Sequence, residues 1–75
     1  MVSHRPEYAL AAFGQRVRRL REARKLTQMK TAAAAGVTVT TVMRMEAGRI
    51  APRLDTVLAL ASALGARIEL VEDDE

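Results

Sequence analysis

Leu10, Phe13, Val17 and Leu20 recur at steps of three and four residues, which on a helix makes one apolar stripe. The spacing predicts a first helix over about Glu7–Lys25, with Pro6 suited to its start. Thr27 can cap a second helix over Gln28–Ala35. Ala32 to Ala35 favour helix and have small side chains, and Gly36 suits the left-handed residue that ends it. The next run, Val37 to Val42, is entirely β-branched, so local propensity reads strand. Helix is favoured by three observations: Thr38 can cap, the segment lies between Gly36 and Gly48, and a helical wheel sorts it. Thr38, Thr41, Val42 and Met45 fall on one side, and Val39, Thr40, Met43 and Arg44 on the other. A loop with Pro52 leads to a fourth helix over about Leu54–Leu64. Its inward positions are read as Leu54, Val57, Leu58, Ala61 and Leu64, with Asp55 in the first turn and Gly65 as the stop.

After Gly65 the period falls to two. Ile68 and Leu70 share one face and Arg67 and Glu69 the other, which predicts a short strand over 66–71. A lone strand leaves its ladder groups unpaired. Pairing with the same strand of a second copy through Ile68 and Leu70 answers that need; an irregular tail packed on the core is the alternative. The fold class that follows is all-α: a single domain over 1–75, with four or five helices and a C-terminal strand that crosses a dimer. Residues 1–6 read as loose and 72–75 as an acidic tail.

Two short capped helices joined at Gly36, within Leu26–Gly48, have the layout of a helix-turn-helix, which sets its second helix into the DNA major groove. On the outward side of that helix, Val39 offers methyl groups suited to the thymine methyl. Thr40 can hydrogen-bond a base edge or a phosphate, Met43 adds apolar surface, and Arg44 can pair with guanine O6 and N7.

Composition narrows the alternatives. Seventy-five residues bury only about 60–65% of their unfolded surface, so a partner would help a modest core. No Cys and a single histidine, His4, leave little for nucleophilic or metal catalysis, so no enzyme activity, metal or cofactor is expected. One Phe, one Tyr and no Trp argue against a stacking platform for single strands. No apolar run approaches the ~18 residues of a membrane span. Tyr8–Phe13 is too short for a secretory core, which makes a cytoplasmic location the expectation. The net charge of +3 hides an asymmetry: without Glu72, Asp73, Asp74 and Glu75, twelve cations face five acids, a balance of +7 that invites polyanions. Arg16, Arg18, Arg19, Arg21, Arg24 and Lys25 crowd the second half of the first helix. A cationic helix can instead lie on a membrane, but here the arginines spread round most of the wheel.

Arg21, Leu26-Thr27-Gln28, Ala32, Gly36-Val37, Thr41-Val42, Glu46-Ala47-Gly48-Arg49, Pro52 and Leu64-Gly65 together resemble the Cro/phage-repressor (XRE) type of helix-turn-helix, a lambda-repressor-like fold. The resemblance covers about residues 13–65. The ending after Leu64 looks like the HipB-like branch of antitoxins, in which a C-terminal strand joins two subunits. Thr31 and Val39 depart from the pattern, which has Leu at the first position and a polar or charged residue at the second. The resemblance implies that Gln28 and its amide touch the DNA backbone, that Arg49 lies near phosphate and that Arg53 approaches the minor-groove edge. Thr27 and Thr38, at the helix starts, join them as backbone candidates. It also implies that Arg21 and Glu46 form a partly buried ion pair. The leading reading is a homodimeric, sequence-specific regulator of double-stranded DNA, acting as a repressor at an operator. The alternative is an antitoxin that also binds a toxin protein, and a nonspecific nucleic-acid coat stays as a third reading.

Overall fold

The computed structural model describes residues 6–73, with side chains from 8 onward. Expectations for residues 1–5, His4 among them, and for Asp74 and Glu75 lie outside the described residues. Among the described residues four helices follow one another: α1 Pro6–Ala23, α2 Gln28–Ala35, α3 Val39–Glu46 and α4 Leu54–Ala63. α2 packs on both α3 and α4, while α1 lies against α3. Val17, Ala32, Val42, Met45, Leu60 and Leu64 form the buried centre, ringed by Phe13, Leu20, Leu26, Ala35, Val37, Val39 and Ile50. The core is therefore aliphatic apart from Phe13.

All four helices end on the same turn. The amides of Leu26, Val37, Arg49 and Ala66 each reach back five residues, to the carbonyls of Arg21, Ala32, Arg44 and Ala61. This double-bonded ending needs a left-handed residue. Gly36, Gly48 and Gly65 fill three of the four places; Lys25, with φ of 57°, fills the fourth. The turn consumes Arg24 and Lys25, so α1 stops two residues before its expected end.

α3 is helical despite its β-branched run, because tertiary burial outweighs propensity there. Val42 and Met45 are fully buried. Thr38 caps the helix, its hydroxyl oxygen accepting from the Thr41 amide at 3.2 Å. Thr31 is buried with them, and its hydroxyl has no partner.

Two expectations are corrected. First, residues 66–71 form no strand, and among the described residues there is no strand at all. Alternation supplies a face but no ladder, and one chain offers this segment no second edge. Ile68 is 43% and Leu70 100% exposed. Second, α4 turns differently from its expected register. Leu60 is buried, whereas Leu54 is 67% and Leu58 50% exposed. α4 is apolar over most of its circumference, so periodicity alone cannot choose its inner face. Packing against α2 selects Leu60, Ala61 and Leu64.

Candidate nucleic-acid interface

α3 owes its position to α1. Gly14 lies inside α1, and a Cβ there would sit 2.3 Å from the Met45 carbonyl oxygen and 2.8 Å from that of Glu46. One turn earlier, Ala11 meets Gly48, whose own Cβ would stand 2.9 Å from the Ala11 Cα. Backbone thus meets backbone at the C-terminal end of α3. A side chain at 14 would force the two helices apart. Gly14 was not singled out from the sequence; its signal was a glycine inside a strong helical pattern.

An ion pair locks the same junction. Arg21 Nε donates to Glu46 Oε2 at 2.6 Å and Nη2 to Oε1 at 3.0 Å, a two-pronged contact. Side-chain exposure is 12% for Arg21 and 4% for Glu46. Arg21 Nη1 also donates to the Leu26 carbonyl at 2.9 Å, which ties the pair to the α1–α2 turn. The hydrogen bond that Arg21 donates to Glu46 raises the affinity of Arg21 for its proton; burial opposes this, and the charges of Glu46 and Glu22 reinforce it. Gln28 adds a link that sequence reasoning did not foresee, its Nε2 donating to Glu46 Oε1 at 3.1 Å. The first residue of α2 and the last of α3 are thereby joined through one carboxylate. Arg18, Arg21, Gln28, Met43, Glu46 and Ala47 line a polar notch above this junction.

The outward arc of α3 carries Thr40, Met43 and Arg44, all exposed, with Met43 at 50%. The Arg44 side chain makes no hydrogen bond or ion pair among the described residues. Val39 differs from its expected role: it is half-buried and packs on the core, so it presents only part of its surface. Position 39 starts the helix over the α2–α3 turn, where the core reaches the surface.

The backbone candidates fall into two groups. Thr27 and Thr38 spend their hydroxyl oxygens as caps, Thr27 accepting from the Lys30 amide at 3.0 Å. Thr38 further shares a 2.9 Å contact with the Thr41 hydroxyl. Gln28 gives one Nε2 hydrogen to Glu46, and the first backbone N–H groups of α2, apart from the capped Lys30 amide, have no partner inside the helix. Arg49 is exposed, and Arg53 stands at the start of α4 with no side-chain cap bond. Arg53 pairs with Asp55 at 2.9 Å, a surface contact that costs little to exchange. Arg24 belongs to the scaffold: its guanidinium carbon would lie 3.1 Å from a Cβ at Gly65, against the end of α4.

Among the described residues, no group of three or more His, Cys, Asp or Glu could hold a metal, and no helix is long and apolar enough to cross a membrane. What remains is a cationic, partly apolar ridge on a fixed helix, beside the free amides of a second helix. That shape can enter a groove and hold an anion at its rim.

Known proteins share this pattern. A family described as a helix-turn-helix domain matches residues 12–73. The immunity repressor protein of Bacillus phage phi105 is 36% identical over 62 residues, covering 83% of this chain. The chain spans 43% of the length of that repressor. The crystal structure of the restriction-modification controller protein C.AhdI from Aeromonas hydrophila superposes with a TM-score of 0.81 at 36% identity, over 85% of this chain and 93% of that one.

Proposed function

The chain belongs to the helix-turn-helix family, of the Cro/phage-repressor type, and from that premise we propose that it is a sequence-specific transcriptional regulator of double-stranded DNA, acting as a repressor. One observation carries the reading: Thr40, Met43 and Arg44 stand outward on a helix whose angle is fixed by Gly14 and by the Arg21–Glu46–Gln28 network. Arg44 reads guanine, Thr40 a neighbouring base edge or phosphate, and Met43 packs on apolar base surface together with the exposed edge of Val39. The α2 amides, with Thr27, Gln28 and Thr38, and the cations Arg49 and Arg53 take phosphates and set the register. A cytoplasmic location goes with this reading.

The active form is a homodimer. Leu54, Leu58, Ile68, Leu70 and Val71 are all exposed, and a second copy would cover such a surface. Two α3 helices would then stand about 34 Å apart on successive major grooves of a palindromic operator. The antitoxin reading is set aside: of its two motives, a C-terminal strand and an acidic tail, the strand is not formed by these residues, and both relatives are named as regulators.

Gel shifts on DNA from upstream of the protein's own coding sequence test the proposal. Affinity is expected to exceed that for random DNA by at least ~1,000-fold. It should also fall steeply with salt. Equal affinity for both DNAs, or binding that ignores salt, would overturn it.

A further inference from the structure

The notch between α1 and the helix-turn-helix holds a cation that the reading above leaves unused. It is lined by residues of three helices: Arg18 and Arg21 from α1, Gln28 from α2, and Met43, Glu46 and Ala47 at the end of α3. Arg21 is neutralised by Glu46 and almost covered. The formal charge of the notch, two arginines against one glutamate, therefore resides on Arg18. Arg18 makes one surface pair, Nε to Glu22 Oε2 at 3.1 Å, with the side chains 63% and 54% exposed. A pair of that kind, four residues apart on a helix, is weak and readily exchanged. Its remaining guanidinium donors point at no partner among the described residues.

We propose that Arg18 is a phosphate-binding residue of the DNA surface, held in reserve by Glu22 and released to a backbone phosphodiester when α3 enters the groove. This rests on the DNA reading. Met43 belongs both to the outward arc of α3 and to the wall of the notch, so a strand that flanks α3 must pass the mouth of the notch. Gln28 Oε1 cannot donate to phosphate and one of the two Nε2 hydrogens is held by Glu46, so apart from Arg18 the side chains of the notch offer little more than the second Nε2 hydrogen. A phosphodiester there trades a solvent-screened carboxylate for an anion on a rigid rod, with release of a counterion. Arg18 thus reaches DNA from α1, outside the helix-turn-helix proper.

The test is a salt series by fluorescence anisotropy, with a labelled duplex of about 30 base pairs of mixed sequence and the full chain. Four variants enter: Arg18→Gln, Glu22→Gln, the double variant, and Arg16→Gln. Arg16 removes the same charge from the other side of α1, where it lines an apolar hollow with Phe13, Val17 and Leu64. Arg18→Gln is expected to lower the slope of log affinity on log salt by about 0.9, one phosphate's worth, at unchanged melting temperature. Arg16→Gln should leave the slope alone. Glu22→Gln should tighten binding roughly twofold, the worth of a surface pair, and that gain should vanish when Arg18 is also Gln. An unchanged slope for Arg18→Gln, an equal drop for Arg16→Gln, or a gain from Glu22→Gln that survives in the double variant overturns the inference while leaving the DNA reading intact. If the unsubstituted chain shows no salt-dependent binding, the DNA reading fails and takes this inference with it.

Discussion

The flank where α1 meets the end of α3 and the flank formed by α4 with residues 66–73 are built on opposite terms. On the first, Arg21, Glu46 and Gln28 satisfy one another, and the backbones touch at Gly14 and Gly48. On the second, Leu54, Leu70 and Val71 are largely exposed, and Leu58 and Ile68 about half so. One flank is completed within a single chain; the other is apolar surface that a single chain leaves open. The tilt of α3 is therefore an intramolecular property, while in the proposed dimer the distance between two such helices is left to association.

The largest expected effect lies on the closed flank. Glu46→Ala strands Arg21 in a nearly covered site and frees Gln28, and should cost about 3–5 kcal/mol in denaturant unfolding. A loss below 1 kcal/mol would show that solvent reaches the pair and that it does not set the angle of α3. Next comes the open flank. In the proposed dimer, Leu58→Lys should weaken association by about 1–1.5 kcal/mol, the worth of the exposed half of one leucine, and leave the monomer's fold unchanged. Sedimentation equilibrium decides it, and an unaltered dimer constant would move the interface elsewhere. Gly14→Ala returns to the closed flank and should cost about 1–3 kcal/mol through overpacking, offset in part by better helix propensity. Its signature is DNA affinity lost beyond what the stability change explains, because α3 must shift. The smallest effect sharpens the comparison from within α1: Lys25→Gly removes a left-handed non-glycine residue and should stabilise by about 0.5–1 kcal/mol. A melting temperature that does not rise would mean Lys25 is held there without strain.

The same contrast explains what the chain discloses when read alone. α2 is legible to the residue because its limits are set locally, by the Thr27 cap and the Gly36 turn. The outward arc at Thr40, Met43 and Arg44 is legible because Val42 and Met45 leave it only one direction. α4 misleads because it is apolar nearly all round, so its inner face depends on where α2 lies. The segment 66–71 misleads because alternation describes a face and says nothing about a partner edge. Gly14 and the Gln28–Glu46 bond are contacts between elements distant in sequence; a glycine inside a helical pattern hints at the first, and no local pattern reports the second. Thr31 is a mixed case. Its departure from the family pattern is visible in the sequence, and its consequence, a hydroxyl buried without a partner, appears only in the packed helices.

The contact at Gly14 separates two properties that a DNA-binding protein must otherwise settle together. Because main chain sets the tilt of α3, residues 40, 43 and 44 are free of any duty in the architecture. On the proposed reading they can be exchanged like type in a fixed forme, and descendants of this chain can acquire new operators without relearning how to fold.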